Sequence, residues 1–142
     1  MTISAAVEAP PVKALTIRQP WADAIVHGTK TVENRTRRTR YQGRLLIHAG
    51  LAADRSALHG GLRDDWPDIR GAVIATAYLT GCHEARIEGC CGAWSFPDSW
   101  HWLLALVRPL AVPVPAKGQL GLWTPDAEVL AAVEAQQMRE AA

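Results

Sequence analysis

The sequence predicts an α+β domain, and three stretches carry that prediction. Residues 14–18 alternate, with Leu15 and Ile17 on one face, and lead through Pro20 into a short run of helical periodicity. Residues 71–80, GAVIATAYLT, are β-branched and aromatic and stand between Gly71 and Gly81, as a strand bounded by turns does. Residues 126–140 carry an apolar stripe at Val129, Leu130, Val133 and Met138, the period of a helix with one buried face.

Taken in order, the first strand covers 14–18. Pro20 follows, where its fixed φ and missing donor suit the first turn of a helix. Trp21, Ala24, Ile25 and Val26 supply that helix with an apolar face, and Gly28 stops it after about two turns. Lys30 therefore sits just past a helix C-terminus, where its charge suits the dipole. Residues 31–35 read as a short strand, 36–42 as a polar, arginine-rich loop ended by Gly43, and 44–49 as a buried strand. Residues 52–62 have helical spacing at Leu51, Leu58 and Leu62, interrupted by Gly60 and Gly61, and predict a short helix followed by a loop through Trp66-Pro67. Residues 82–97, rich in Gly and short polar residues, cross the surface. Residues 100–107 fit helix or strand by periodicity alone. Pro113 and Pro115 argue against a central strand over 110–115, since each removes a ladder donor. Residues 119–123 read as a last strand. Thr124 as N-cap with Pro125 at the first helical position opens the final helix.

At 142 residues one domain is expected, large enough to bury roughly two-thirds of its unfolded surface. The reading is a loose N-terminal tail over 1–13 and a single domain over 14–142. Residues 1–12 lack a basic n-region, and no apolar run approaches the ~20 residues that cross a bilayer, so a cytoplasmic protein without membrane contact is expected. The net charge of +1 argues against coating nucleic acid by charge alone. Its distribution is more informative. Between Gly28 and His48 stand Lys30, Arg35, Arg37, Arg38, Arg40 and Arg44 against Glu33 alone, a local +5 that leaves −4 for the remainder. A localised anionic ligand or a solvated arginine loop both fit that pattern. Cys82, Cys90 and Cys91 are odd in number and two are adjacent, which points to reduced thiols. Cys82-His83 with Cys90-Cys91 imitates a zinc site. Metal-ligand pairs usually stand two to four residues apart, however, whereas these are contiguous, so no metal or other cofactor is expected.

The segment 28–35, Gly-Thr-Lys-Thr-Val-Glu-Asn-Arg, sets three charges close together. In an extended chain Glu33 and Arg35 share a face, and Lys30 reaches in from the turn. This Gly28-x-Lys30-x-x-Glu33-x-Arg35 pattern is introduced by Arg18-Gln19-Pro20-Trp21-Ala22. Gly43-x-Leu45-Leu46-Ile47-His48-Ala49, Trp100-His101-Trp102 and Gly118-x-Leu120-Gly121-Leu122-Trp123 follow it. Together, over roughly residues 14–123, these motifs resemble the ASCH (activating signal cointegrator homology) domain family, which is similar to the PUA domains of RNA-binding and RNA-modifying proteins. The resemblance implies a PUA-like small β-barrel flanked by helices, and it decides for a strand over 100–107. In relatives that deacetylate an acetylated cytidine it implies a lysine at position 30 with a threonine nucleophile three residues on. This chain carries Glu33 there instead, as a general base or as the lysine's counter-ion.

The expected function is binding of RNA, single-stranded, or of a nucleotide-like ligand, in a cleft lined by Arg18, Gln19, Trp21, Lys30, Glu33 and Arg35. Residues 37–44, including Arg37, Arg38 and Arg40, would hold phosphates. Arginine's planar fork matches phosphate bidentately. Trp21 and Tyr41 offer stacking faces, against the alternative that Trp21 anchors the first helix in the core. His48 either points into the barrel mouth or is a satisfied core histidine. The rival reading is a ribonuclease or modified-nucleoside hydrolase in which Lys30 and Glu33 are catalytic, as electrostatic stabiliser and base. A protein-interaction module using the C-terminal helix is a third.

Overall fold

A computed structural model describes residues 10–85 and 90–141. The chain runs β1 (Lys13–Gln19), α1 (Trp21–Val26), β2 (Val32–Arg35), β3 (Gly43–Ala53), β4 (Ala72–Glu84), β5 (Trp100–Pro115), β6 (Leu122–Trp123) and α2 (Ala127–Ala141). The six strands make one sheet in the order β2-β5-β4-β3-β1-β6. Among the described residues only β1 and β3 pair in parallel; the other four pairings are antiparallel. The sheet curls into a half-barrel carrying two helices, the expected PUA-like α+β architecture.

Strand periodicity distributes the core over both faces. Leu15, Ile17, Leu45, Ile47, Ala49, Ala75, Ala77 and Leu79 pack on one side with Ala22 and Ile25 of α1 and Trp102 of β5. Ala14, Leu46, Val73, Leu110 and Val114 pack on the other with Trp123 and with Val129 and Val133 of α2. Residues 45–50 are therefore buried without interruption, which is why that stretch, His48 apart, reads as an apolar run rather than alternating.

The structure corrects several expectations. Residues 52–62 form no helix. β3 continues to Ala53, and the chain then passes through turns that lay Gly61 against Trp94, where a Cβ would stand 2.5 Å from the ring. β5 runs through both Pro113 and Pro115, with Ala72 opposite Pro115 and Val73 opposite Val114. The prolines are tolerated because β2 reaches only residues 100–103 of β5, so the rest of the strand has a single strand neighbour. Gln136 of α2 lies along that open side, accepting from Val112 N at 3.1 Å and donating to Val112 O at 2.7 Å. Asp126, not Thr124, caps α2, its Oδ1 accepting from Val129 N at 2.9 Å. Thr124 instead accepts from Lys13 Nζ at 2.8 Å. Met138, assigned to the buried stripe, is 74 % exposed, and the buried position on that face is Gln136.

Of the expected N-terminal tail, residues 1–9 lie outside the described residues, as do 86–89 of the expected surface crossing; residues 82–84 of that crossing extend β4. No helix among the described residues is long and apolar enough to cross a membrane.

Candidate functional site

The site is assembled where β1, α1 and β2 meet. β1 ends at a cis Gln19–Pro20 peptide. The Gln19 side chain accepts from Asp23 N at 2.9 Å and donates to Ile69 O at 2.9 Å, tying the start of α1 to a distant loop. At the other end of α1 the chain passes so close that a Cβ on Gly28 would lie 2.8 Å from Ala24 O and 3.0 Å from Trp66. Lys30 N then donates to Ala24 O at 3.1 Å, turning the lysine inward as β2 begins. On β2, Glu33 and Arg35 stand opposite Trp102 and Trp100 of β5.

These steps bring together the three charges of the motif. Lys30 is 2 % exposed; its ammonium donates to Val32 O and lies 3.8 Å from Glu33 Oε1. Glu33 Oε2 accepts from both Arg35 NH2, at 2.8 Å, and Arg35 Nε, at 3.0 Å. Arg35 NH2 also donates to Thr16 O at 2.9 Å, so a side chain on the edge strand β2 reaches β1 across the open mouth of the half-barrel. Aromatic faces back the cations: Lys30 Nζ is 5.7 Å from the Trp21 ring centroid and Arg35 Cζ 5.9 Å from that of Trp102. Burial pushes the Lys30 amine below its ordinary pKa; Glu33 opposes the shift and Arg35 adds to it. The group holds two cations against one carboxylate, which leaves it suited to an anionic ligand.

Trp21 carries more than the lysine. Its Nε1 donates to Asp54 Oδ2 at 2.8 Å, and its ring meets Trp94 and Phe96 edge-on at 6.5 and 5.8 Å. The bonds from Trp21 and Ser56, helped by Arg18, hold the Asp54 carboxyl below the usual carboxylate range. Arg18 is exposed at the end of β1. Arg37, Arg38 and Arg40 are exposed in the loop after β2, and none joins an ion pair among the described residues. The Trp102 indole donates to Arg37 O at 2.9 Å, fixing the root of that loop.

The remaining candidates are placed elsewhere. Gln19 is buried and bonded within the fold, as above. Arg44 pairs with Glu134 at 3.1 Å and donates to Gln137, both on α2. The Tyr41 hydroxyl lies 2.7 Å from Pro11 O and 2.6 Å from Arg44 O, and burial raises its pKa. His48 is on the opposite face of the sheet, donating from Nε2 to Ala116 O at 2.7 Å and lying edge-on to Trp123. Burial lowers its pKa. Phe96, 41 % exposed beside Trp21, escaped the sequence reading, because nothing local joins residue 96 to residue 21.

A second polar cluster contains three of the four residues that the sequence reading weighed as a zinc site and set aside, with His101, which that reading missed, in the place of Cys82. His83, Cys90, Cys91 and His101 direct one ring nitrogen or sulfur each into a group whose atoms all lie within 4.8 Å of one another. Burial and the neighbouring Cys90 push the Cys91 thiol up to about 11. Cys82, the cysteine next to His83 in sequence, is absent from the group. It faces the other side of β4, opposite Trp102 and against the apolar core. A separate cavity of about 420 Å³ opens beside Trp123 and the start of α2 and shares no lining residue with either cluster.

The family model described as the ASCH domain matches residues 15–113. A crystal structure of a tyrosine-to-phenylalanine mutant of ZmASCH from Zymomonas mobilis is similar in fold, with a TM-score of 0.60 and 18 % sequence identity. That match covers 89 % of this chain and 98 % of the other. No curated protein matches the chain.

Proposed function

Because this chain belongs to the ASCH domain family, we propose that it binds single-stranded RNA, or a nucleotide-like ligand, across the mouth of the half-barrel. The observation that carries the reading is a run of exposed arginines, Arg37, Arg38 and Arg40, that join no ion pair among the described residues, rooted beside a buried group with one positive charge in excess. The arginines hold phosphates, Arg35 and Arg18 extend the cationic track, and Phe96 with the edge of Trp21 offers an apolar surface for a base. A base stacked on such a ring contributes about 1–3 kcal/mol.

Anisotropy titration of a short labelled single-stranded RNA over a range of salt tests this. Each phosphate contact contributes about −0.7 to the slope of log K against log salt. Replacing Arg37, Arg38 and Arg40 by serine is expected to weaken binding and flatten that slope by about 2. Unchanged affinity and slope in the triple variant would remove the loop from the binding site.

A second reading, hydrolysis of RNA or of a modified nucleoside, is favoured by the depressed lysine beside a carboxylate, since perturbed groups of this kind concentrate at reactive sites. Product analysis after prolonged incubation separates it from binding. Cleavage lost in Lys30→Met, with affinity retained, is expected if Lys30 acts on the reacting group.

A further inference from the structure

We propose that His83, Cys90, Cys91 and His101 form a closed, tetrahedral zinc site that anchors the segment carrying Trp94 and Phe96 to the end of the β4–β5 ladder.

The donor atoms are gathered from three places by the fold. His83 and His101 are directly opposite each other on β4 and β5, so their rings emerge from the same face, with centroids 5.3 Å apart at 79°. Cys90 and Cys91 arrive from the connection between those strands. Cys91 takes a left-handed backbone, φ 67°, which L-residues other than glycine rarely adopt and which turns two consecutive side chains toward one point. His83 Nε2 is 2.9 Å from Cys91 Sγ and 3.9 Å from Cys90 Sγ. The sulfurs are 3.2 Å apart, and Cys90 Sγ is 3.8 Å from His101 Nδ1. Nitrogen and sulfur ligands at about 2.0–2.3 Å from a tetrahedral zinc stand about 3.3–3.8 Å from one another, so small adjustments suffice to admit the ion.

The orientation of the imidazoles is the second, independent observation. His101 Nε2 is 2.7 Å from Phe96 O, and His83 Nδ1 is 3.0 Å from Glu84 O. A carbonyl oxygen only accepts, so each outer nitrogen carries the proton, and in the neutral ring each inner nitrogen presents its lone pair to the cluster. Anchoring of the outer N–H on a backbone carbonyl is how proteins fix metal-binding histidines. His101 is 1 % exposed. Two imidazoles and two thiols on four sides leave no position for substrate or water, which marks a structural ion rather than a catalytic one. On binding, both thiols release their protons, and the two thiolates neutralise Zn²⁺.

The ion would stiffen one wall of the candidate site. Ser95 Oγ bonds the carbonyls of Cys90 and Gly92, Trp94 Nε1 donates to Thr29 Oγ1 at 2.9 Å, and Asn34 of β2 bonds Trp94 O and Phe96 N.

Metal analysis of the whole chain, purified without chelator, provides the test. Zinc is expected at one equivalent, released when a mercurial blocks the thiols. Protein stripped of metal and titrated with Co²⁺ is expected to show visible bands of tetrahedral intensity and near-ultraviolet thiolate charge transfer, saturating at one equivalent. Cys90→Ser and Cys91→Ser are expected to lose the charge-transfer intensity and at least tenfold in metal affinity, whereas Cys82→Ser keeps both. Should the serine variants fail to fold, the wild-type titration decides alone. A folded wild type that takes up neither Zn²⁺ nor Co²⁺ would overturn the proposal. So would octahedral cobalt spectra, a Cys90–Cys91 disulfide in protein purified under reducing conditions, or equal losses in Cys82→Ser.

Discussion

Two polar clusters occupy opposite faces of the same sheet, and they are built on opposite principles. Glu33 faces Trp102 across the β2–β5 ladder, and the next pair along, Asn34 with His101, points the other way. On the first face two cations share one carboxylate, and Arg35 uses a spare donor to reach Thr16 across the mouth of the half-barrel. On the second face four donor atoms converge with no cation among them. One cluster already holds an anion between its cations; the other is arranged to receive a cation. Burial alone therefore does not identify a site: Lys30 and His101 are equally inaccessible, and the composition of their neighbours separates their roles.

The largest expected effect breaks the first cluster. Glu33→Gln leaves the buried Lys30 ammonium and the Arg35 guanidinium without their shared anion, and removing one partner of a buried ionic group costs about 3–5 kcal/mol. Urea unfolding followed by tryptophan fluorescence measures it; a loss below 1 kcal/mol would mean that water reaches the network.

Asn34→Ala sharpens the contrast from between the two faces. Asn34 donates to Trp94 O at 2.9 Å and accepts from Phe96 N at 2.8 Å, bonds whose loss costs about 2 kcal/mol together. Metal content should be unchanged, because Asn34 supplies none of the four donors. If stability and metal content fall together in the same titration, the two faces are a single unit.

Lys30→Met is the mildest change, about 1 kcal/mol or less in either direction, because Glu33 keeps both bonds from Arg35 and the methionine fills the apolar space of the lysine stem. Its signature lies in pH dependence. The folded-state pKa of Lys30 is lowered from 10.5, so between the folded value and 10.5 the unfolded chain binds more protons and wild-type stability gains with rising pH. That gain, read as the difference between wild type and Lys30→Met across alkaline pH, should vanish in the variant. An identical alkaline profile for the two proteins would contradict a depressed Lys30.

Residues 28–35 were legible because their contacts are local. Two-residue alternation sets Glu33 beside Arg35, and the helix stop at Gly28 turns Lys30 toward them, so spacing alone foretold the network. The first strand, the short helix after Pro20, the strand after Gly71 and the final helix were legible from their periodicity, although the cap of the final helix is Asp126 rather than Thr124. The sequence could not decide where β5 ends. Proline excludes a strand flanked on both sides, and only the sheet order shows that this half of β5 has one strand neighbour. Nor could it show that Cys82 faces the core while His83 faces the cysteines. Adjacent residues on a strand point apart, and which face is which depends on the partner strand. His101 joins residues 83, 90 and 91 through ladder register, a long-range quantity that no local spacing encodes. Sequence by itself thus determined the elements with clear periodicity, though not the course of residues 52–62 or 100–115, and the one charge network made by neighbours in the chain. Tertiary structure decided the face each element presents, and with it every cluster drawn from distant residues, because register and curl are set by packing across the whole sheet.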